Sequence, residues 1–495
     1  MITEIVILLL MTILTYYLYV YKKIHWHYDK SGVKYLPGWP IFGNIIKNTF
    51  MKRHIIEEID EVYRAFPDER YVGFMETTTP TLVIRDPNII KAITVKDFDH
   101  FVNRKDLFTS ENDNGLLGGS LVMLKGDRWR DMRTTLSPAF TGSKMRTMMP
   151  LMIEISKNVV EYLKDKTSKD LLVDDLIHRY TNDVIASAGF GLEVNSLVDK
   201  ENQFYMTGQT LFDFTLWQRC CFFFAAMFPS LKETFKLEVF PRKTRKFFRD
   251  LVSNIIAYRV HNSVKRPDMI QLLMETTQEW KESELTSQVF QFFAAGFEST
   301  AAVLILGIHE LALNPDVEEK LYQEVKKYKE SNGELKYENL AELNYLDCVL
   351  NEMNRKWSVG LFMDRICTKT YVLPPPTEGG KPYTIKPGDG VYNVLNSIHM
   401  DPKYHPNPEK FDPDRFSDEK KHNIKPFTFM PFGMGPRNCI GARFATMELK
   451  VLLYYLTLNY KIVKCEKTSV PIKLMTRDIN LKAVGGSWVQ FEARI

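Results

Sequence analysis

The sequence predicts a mainly α-helical protein with a minor β portion, and three observations predict it. Apolar residues recur at helical spacing over 151–165, 178–191, 286–312, 315–328, 340–357 and 442–459. Strand-like runs are few and short, at 81–84, 390–394 and 480–482, with a hairpin expected around Gly485 and Gly486. The 25 Gly and 24 Pro among 495 residues are too scattered to form a long linker. No repeat of roughly 20 to 50 residues is present. One large folded body is therefore expected, although the length alone would suit about three domains.

Composition narrows the class. At 45% apolar and 25% charged, the chain is not disordered, collagen-like or a multi-span membrane protein. A formal net charge of +4 is too small to indicate a nucleic-acid partner, and none is expected. Aromatic residues, 13% of the chain, allow a large apolar interior. The cysteines are Cys220, Cys221, Cys348, Cys367, Cys439 and Cys465, with no CxxC pair. They are too sparse for a disulfide scaffold and suit a reducing compartment.

The first element is an uncharged run of 17 residues at 5–21. As a helix it would span about 26 Å, close to the roughly 27 Å core of a thin endoplasmic-reticulum bilayer. Its start carries Glu4 and no cleavage site follows, which disfavours a signal peptide. Tyrosines gather where such a helix would meet the headgroups, and Lys22, Lys23, Lys30 and Lys34 follow, so the body is expected on the cytoplasmic side. A buried core helix or a cleaved signal is the alternative. Residues 1–22 are thus expected as an anchor and 23–45 as a connector, stiffened by Pro37, Gly38, Pro40 and Gly43. Residues 46–495 are expected to form a single domain.

Between 125 and 148 lie Lys125, Arg128, Arg130, Arg133, Lys144 and Arg146 against only Asp127 and Asp131. This reads as one basic helix with its extension, either an ordinary solvated face or a docking face for an acidic partner. Within it, Trp129 and Arg133 share one helical face at i,i+4. Further on, Phe222, Phe223, Phe224, Met227 and Phe228 precede the basic run Arg242, Lys243, Arg245, Lys246 and Arg249. Such a pairing suits a lid that dips into lipid with cations at the headgroups, or ordinary core packing.

Gly296 interrupts an apolar helix in the segment Ala294-Ala-Gly-Phe-Glu-Ser-Thr300. A glycine there costs about 1 kcal/mol relative to alanine and leaves room beside the helix. Ser299 and Thr300 can bond back to the preceding turn. Glu352 and Arg355 lie one turn apart on a later helix, and Pro413-Asp-Arg-Phe416 adds Arg415. Finally comes Phe432-Gly-Met-Gly-Pro-Arg-Asn-Cys-Ile-Gly441, followed by a helical pattern. Glycines before a cysteine let the backbone approach something flat. The helix terminus is expected to lower the Cys439 pKa, and Arg437 suits an anionic group on the same ligand.

The pattern F-x-x-G-x-R-x-C-x-G at 432–441 resembles the heme-ligand loop of the cytochrome P450 superfamily. The other motifs follow in that family's order. The segment 131–146 is similar to insect microsomal members of the xenobiotic-metabolising clan. The resemblance implies the cytochrome P450 fold with an N-terminal transmembrane helix, and heme b with Cys439 as the axial thiolate and metal ligand. Phe432 and Arg437 belong to the heme loop, while Trp129, Arg133 and Arg365 are implied to hold heme propionates. Glu352, Arg355 and Arg415 are implied to form a structural network. In the oxygen segment Glu298 matches the family's acid, and Ser299, with Thr300 directly after it, stands where threonine is usual. Those hydroxyls and that acid are implied to deliver the protons that splitting O2 requires. Leu116, Leu117, Phe212, Ala295, Val359 and Val484 are implied to line the substrate pocket. Ser358 and Val359 replace a usual Pro pair, which alters the wall at 359–363.

By the same resemblance the protein is a monooxygenase of the endoplasmic-reticulum (microsomal) membrane, with its catalytic domain facing the cytoplasm. It would take electrons from NADPH-cytochrome P450 reductase, with cytochrome b5 as a further candidate donor. Its substrate is implied to be a lipophilic small molecule reached from membrane lipid, a foreign compound first and an endogenous lipid or hormone second. A reductase-independent isomerase or dehydratase and a ligand-sequestering heme protein stay open at this point.

Overall fold

The computed structural model describes residues 2–39, 42–77, 79–105, 116–211, 215, 217–218, 240–266, 268–275 and 281–494. Helix α1 (Ile2–Ser31) opens the chain. It continues past the 1–22 segment expected as anchor, because Gly32, at φ +69°, is the first residue suited to end it. Its apolar stretch is exposed, whereas Tyr28 is fully buried. The Tyr28 hydroxyl lies 3.0 Å from the carbonyls of both Phe74 and Thr81 and accepts from the Thr81 N–H.

Those two carbonyls belong to strands β1 (Tyr71–Glu76) and β2 (Thr79–Ile84). With β3 (Leu171–Leu172), β4 (Met363–Ile366), β5 (Gly390–Asn393), β6 (Tyr460–Lys464) and β7 (Trp488–Ala493), they make two small sheets, ordered β1-β2-β5-β4 and β3-β7-β6. A further hairpin pairs Tyr371–Leu373 with Tyr383–Ile385. The expected strand at 480–482 is absent: a single bridge joins Leu474 and Ala483, and Gly485 and Gly486 turn the chain toward β7 at positive φ.

Helices dominate: α2 (Ile55–Arg64), α3 (Gly126–Leu136), α4 (Gly142–Lys164), α5 (Val173–Val184), α6 (Gln203–Leu211), α7 (Arg242–Asn262), α8 (Glu282–Leu313), α9 (Pro315–Asn332), α10 (Asn344–Lys356) and α11 (Ala442–Asn459). The basic segment expected as one helix with its extension is two helices, α3 and α4, with a 3-10 turn at Ser137–Phe140 containing Pro138 between them. Three of its cations are paired with acids: Arg128 with Glu284, Arg130 with Asp99 and Asp127, Arg146 with Glu338. The expected lid at 222–228, together with Cys220 and Cys221, lies outside the described residues.

Central to the body is α8, predominantly apolar and mostly buried. Among the described residues it and α1 are long and apolar enough to cross a membrane, but α8 is a core helix, 78% buried over its apolar window. One apolar cluster fills the space between α4, α5, α8, α9, α10 and α11. A second lies on the β1-β2-β5-β4 sheet, and a third joins α3, α6, α7 and α8. The site lies where α8, the start of α11 and the edge strand β4 converge.

Candidate active site

The loop before α11 folds on itself: the Cys439 N–H donates to the Phe432 carbonyl at 2.7 Å. Gly433 and Gly435 both take φ +74°. A Cβ on Gly435 would stand 1.8 Å from the Thr94 carbonyl oxygen, so only glycine lets the loop press against that neighbour. Cys439 is thereby presented to a cavity of about 440 Å³ between the loop and α8. Although the residue is open to the cavity, desolvation by the protein packed around it pushes its thiol pKa up, against the Gly441 N–H, Arg133 and Arg104, which act to lower it. The lowering expected from the helix terminus is therefore outweighed by burial, and a coordinated cation would be what keeps the sulfur ionised.

Three guanidiniums, those of Arg104, Arg133 and Arg437, line the cavity, and that of Arg365 lies buried behind them. Arg365 is fully buried on β4, donates to the Asp364 carbonyl at 2.7 Å, and leaves its Nε and one terminal nitrogen without partners. Arg437 lies 4.1 Å from the centre of the Trp129 ring and donates to the Val102 and Leu124 carbonyls. Arg133 donates to the Asn438 carbonyl and side chain, both at 2.8 Å. Arg104 also lies 4.0 Å from Asp364, the carboxylate that, among the described residues, offsets Arg365 and Arg437. Burial, with Arg104 and Arg365 beside it, pushes Arg437 down to about 8. Burial and Arg104 push Arg365 down to about 9. A buried cationic cluster with orphaned N–H groups calls for an anionic ligand of more than one carboxylate. A flat group with two propionates and an iron facing Cys439 fits these residues.

Beneath the loop, Glu352 and Arg355 are both fully buried and joined by two hydrogen bonds of 2.7 Å. Glu352 also accepts from the Asp412 N–H at 2.8 Å and lies 3.4 Å from Arg415. Arg355 donates to the His399 carbonyl, and the His399 ring accepts the Met430 N–H, so the network reaches the segment leading into the loop. Ser358, where a Pro pair is usual, is buried with its hydroxyl unpartnered, and Val359 beside it lines the cavity.

On the opposite wall α8 brings Ala295, Gly296, Ser299 and Thr300 to the cavity. The Ser299 hydroxyl donates to the Ala295 carbonyl at 2.6 Å, the back-bond its position suggests. Glu298 does not line the cavity. One residue turns a helix by about 100°, and its carboxylate points the other way, to His178 at 3.3 Å and Lys482 at 3.6 Å. Against burial, His178 and Lys482 hold the Glu298 carboxyl below its ordinary value.

The structure thus brings Cys439, Phe432, Arg437, Trp129, Arg133, Ser299, Thr300, Ala295 and Val359 to one cavity. Three expected pocket residues lie elsewhere. Leu116 and Leu117 pack into the α3–α8 cluster, where their own hydrophobicity draws them. Val484 is 54% exposed beside the Gly485 turn. Phe212 lies outside the described residues. Sequence reasoning missed Arg104 and His178: neither stands in a recognisable motif, and each gains meaning only from partners far away in the chain.

A glycine-rich loop presenting a cysteine sulfur to a cavity, rimmed by arginines and faced by a long core helix, defines a heme-thiolate protein. Residues 33–488 match the family model described as Cytochrome P450. The chain is 39% identical to Probable cytochrome P450 9f2 of Drosophila melanogaster, over 94% of this chain and 95% of that one. It is 38% identical to Cytochrome P450 9e2 of Blattella germanica, over 95% of each, and 35% identical to Probable cytochrome P450 6a13 of Drosophila melanogaster, over 98% of each. The chain belongs to the cytochrome P450 family. It is a monooxygenase whose cofactor is heme iron, and it requires O2, an organic substrate and a redox partner.

Proposed function

We propose that this monooxygenase oxidises lipophilic small molecules, chiefly foreign compounds such as plant metabolites and insecticides. Its electrons would come from NADPH through NADPH-cytochrome P450 reductase, with cytochrome b5 as an accessory donor. The observation that carries this reading is the cavity wall, which is predominantly apolar, with Ala295, Val303, Val359, Phe362 and Leu395 on it. Such a wall discriminates single methylenes weakly, which suits a broad substrate range.

In this reading the Cys439 sulfur would bind the heme iron, with Phe432 beside it. Arg104, Arg133, Arg365, Arg437 and the Trp129 ring would hold the heme carboxylates. When bound, the heme supplies O2 activation. Ser299 and Thr300 offer hydroxyls at the cavity, and Glu298 behind them supplies protons to that side. Glu352, Arg355 and Arg415 keep the loop's underside in place and touch no substrate. Residues 1–22 anchor the protein in the endoplasmic-reticulum membrane, and 46–495 form a single domain on its cytoplasmic side. The exposed apolar stretch of α1 and the basic residues after it support that placement.

The test is a panel of lipophilic probes incubated with the microsomal protein, with and without reductase and NADPH. Products that require both are expected, together with a carbonyl-reduced absorption band of thiolate type. A normal band without NADPH-dependent product from any probe would defeat the substrate reading.

A further inference from the structure

The Glu298 carboxylate is not a lone acid. His178, on α5, is 12% exposed, and its ring lies 5.1 Å from that of Phe297. Its Nδ1 is 2.7 Å from the Asp174 carbonyl oxygen, which can only accept, so Nδ1 carries a proton. That assigns Nε2 to the second contact, with Glu298 Oε2 at 3.3 Å. Neither an ionised carboxylate nor a neutral Nε2 has a hydrogen to give, so the contact requires one proton between them. That proton resides on the imidazole, as an ion pair, or on the carboxyl.

We propose that His178 and Glu298 form a proton-holding pair that loads the O2-activating wall of the cavity, with His178 the positioning residue that makes Glu298 a reusable donor. This rests on the reading of Glu298 as proton source. The hand-off balances without any further reagent. The proton on Nε2 passes to Oε2, and rotation about the Glu298 side-chain torsions turns that carboxyl from His178 to the Ser299 side of α8, where the proton leaves. Neutral His178 then takes one from water where Lys482, 26% exposed, meets Asp478. No bond between heavy atoms changes, and no electron moves within the pair.

Charges of both signs surround the pair. Facing the pair are Lys482 and Asp478 from the C-terminal loop, and on α5 itself Asp175, whose carboxylate accepts from the Tyr205 hydroxyl of α6. The Asp174 carboxylate accepts from the Ser487 N–H. Although burial opposes it, the Glu298 carboxylate raises the His178 pKa above its ordinary value. Lys482 lowers the proton affinity of both members, so the 3.3 Å contact between Nε2 and Oε2 is what retains a proton there.

The first measurement follows the ring carbons of 13C-histidine in the diamagnetic, carbonyl-reduced holoenzyme, with the His178 signal assigned by its loss in His178→Gln. It should titrate above pH 6.5, the ordinary histidine value, and drop at least tenfold in proton affinity in Glu298→Gln. The second measures hydrogen peroxide released per NADPH consumed with reductase, which needs no known substrate. In the wild type the peroxide fraction should rise as pH climbs through the His178 titration. In His178→Gln it should be at least twofold higher and flat over that range, with the carbonyl-reduced band and melting temperature unchanged. Peroxide release that rises in Glu298→Gln but follows the wild-type pH profile in His178→Gln overturns this inference and leaves Glu298 as donor. No change in Glu298→Gln overturns the reading of Glu298 itself. A His178 titration unaffected by Glu298→Gln rejects the pair, whatever the turnover shows.

Discussion

Replacing Glu352 by Gln isolates the contribution of one buried charge. Glutamine keeps the volume and still accepts from the Asp412 N–H. It leaves Arg355, which is fully buried, and the nearby Arg415 without a counter-charge. Breaking a buried pair by removing one partner costs about 3–5 kcal/mol. Set against roughly 5–15 kcal/mol for a folded protein, that is a large share. The effect should not stay local. Arg355 also holds the Pro408 and His399 carbonyls at 2.7 and 3.0 Å, and His399 holds the Met430 backbone ahead of the Cys439 loop. Urea titration of the full chain in detergent, read in parallel by far-ultraviolet dichroism and by the carbonyl-reduced band, should show heme release well before the helices melt. The companion is Glu352→Leu with Arg355→Met, which removes both charges and should regain most of the loss. A Glu352→Gln cost below about 1 kcal/mol, or a double variant weaker than the single, would refute the idea that charge pairing holds this network together.

Gly435→Ala should abolish heme incorporation, because its Cβ meets the Thr94 carbonyl at 1.8 Å; the ratio of heme to protein absorbance reports it. Arg104→Leu relieves the crowding around Arg437 and Arg365 but removes an anion partner, so heme should dissociate about tenfold faster in apomyoglobin capture. Ser299→Ala with Thr300→Ala should leave the carbonyl-reduced band intact and divert most NADPH electrons to peroxide. Burial, aided by Arg355 and Arg415, lowers His405 to about 4, so the unfolded chain binds its proton first. Stability from this residue is present above pH 6.5 and is lost as pH falls toward 4, by about 3 kcal/mol at 1.36 kcal/mol per unit. His405→Gln retains an acceptor and donor near the Thr428 carbonyl, and its acid melting curve should be flatter than the wild type's.

How much of this was legible in the sequence depended on whether a signal was local. The Cys439 loop was readable because glycine, arginine and cysteine sit within ten residues, and their reasons are steric and electrostatic. The back-bond of Ser299 was readable for the same reason. Periodicity located α8 and α11 well, yet α7 went unnoticed although Phe248, Val252 and Ile255 stand at helical spacing on its buried face. What stayed hidden was long-range. Arg104 acquires its role from β4 and from Arg437, more than 250 residues away in the chain. Glu298 sits beside Ser299 in sequence, but the helical turn of about 100° sends the two side chains to different faces. Val484 and Leu116 were assigned by family position, and no local physics corrected them. Burial was likewise invisible, which is why the Cys439 thiol is pushed up where its helix terminus alone would lower it.

The unbroken course of α1 has one more consequence. With its apolar stretch across a bilayer, the helix is a shaft keyed into the body by Tyr28 and not a loose leash. Each residue inserted between Lys22 and Tyr28 would advance the body by about 1.5 Å and swing it by about 100°. One added residue should therefore point a different face of the domain at the lipid, whereas four would nearly restore the original heading. Under the proposed placement at the membrane, access of lipid-dissolved compounds to the cavity would be a question of helical phase as well as of distance.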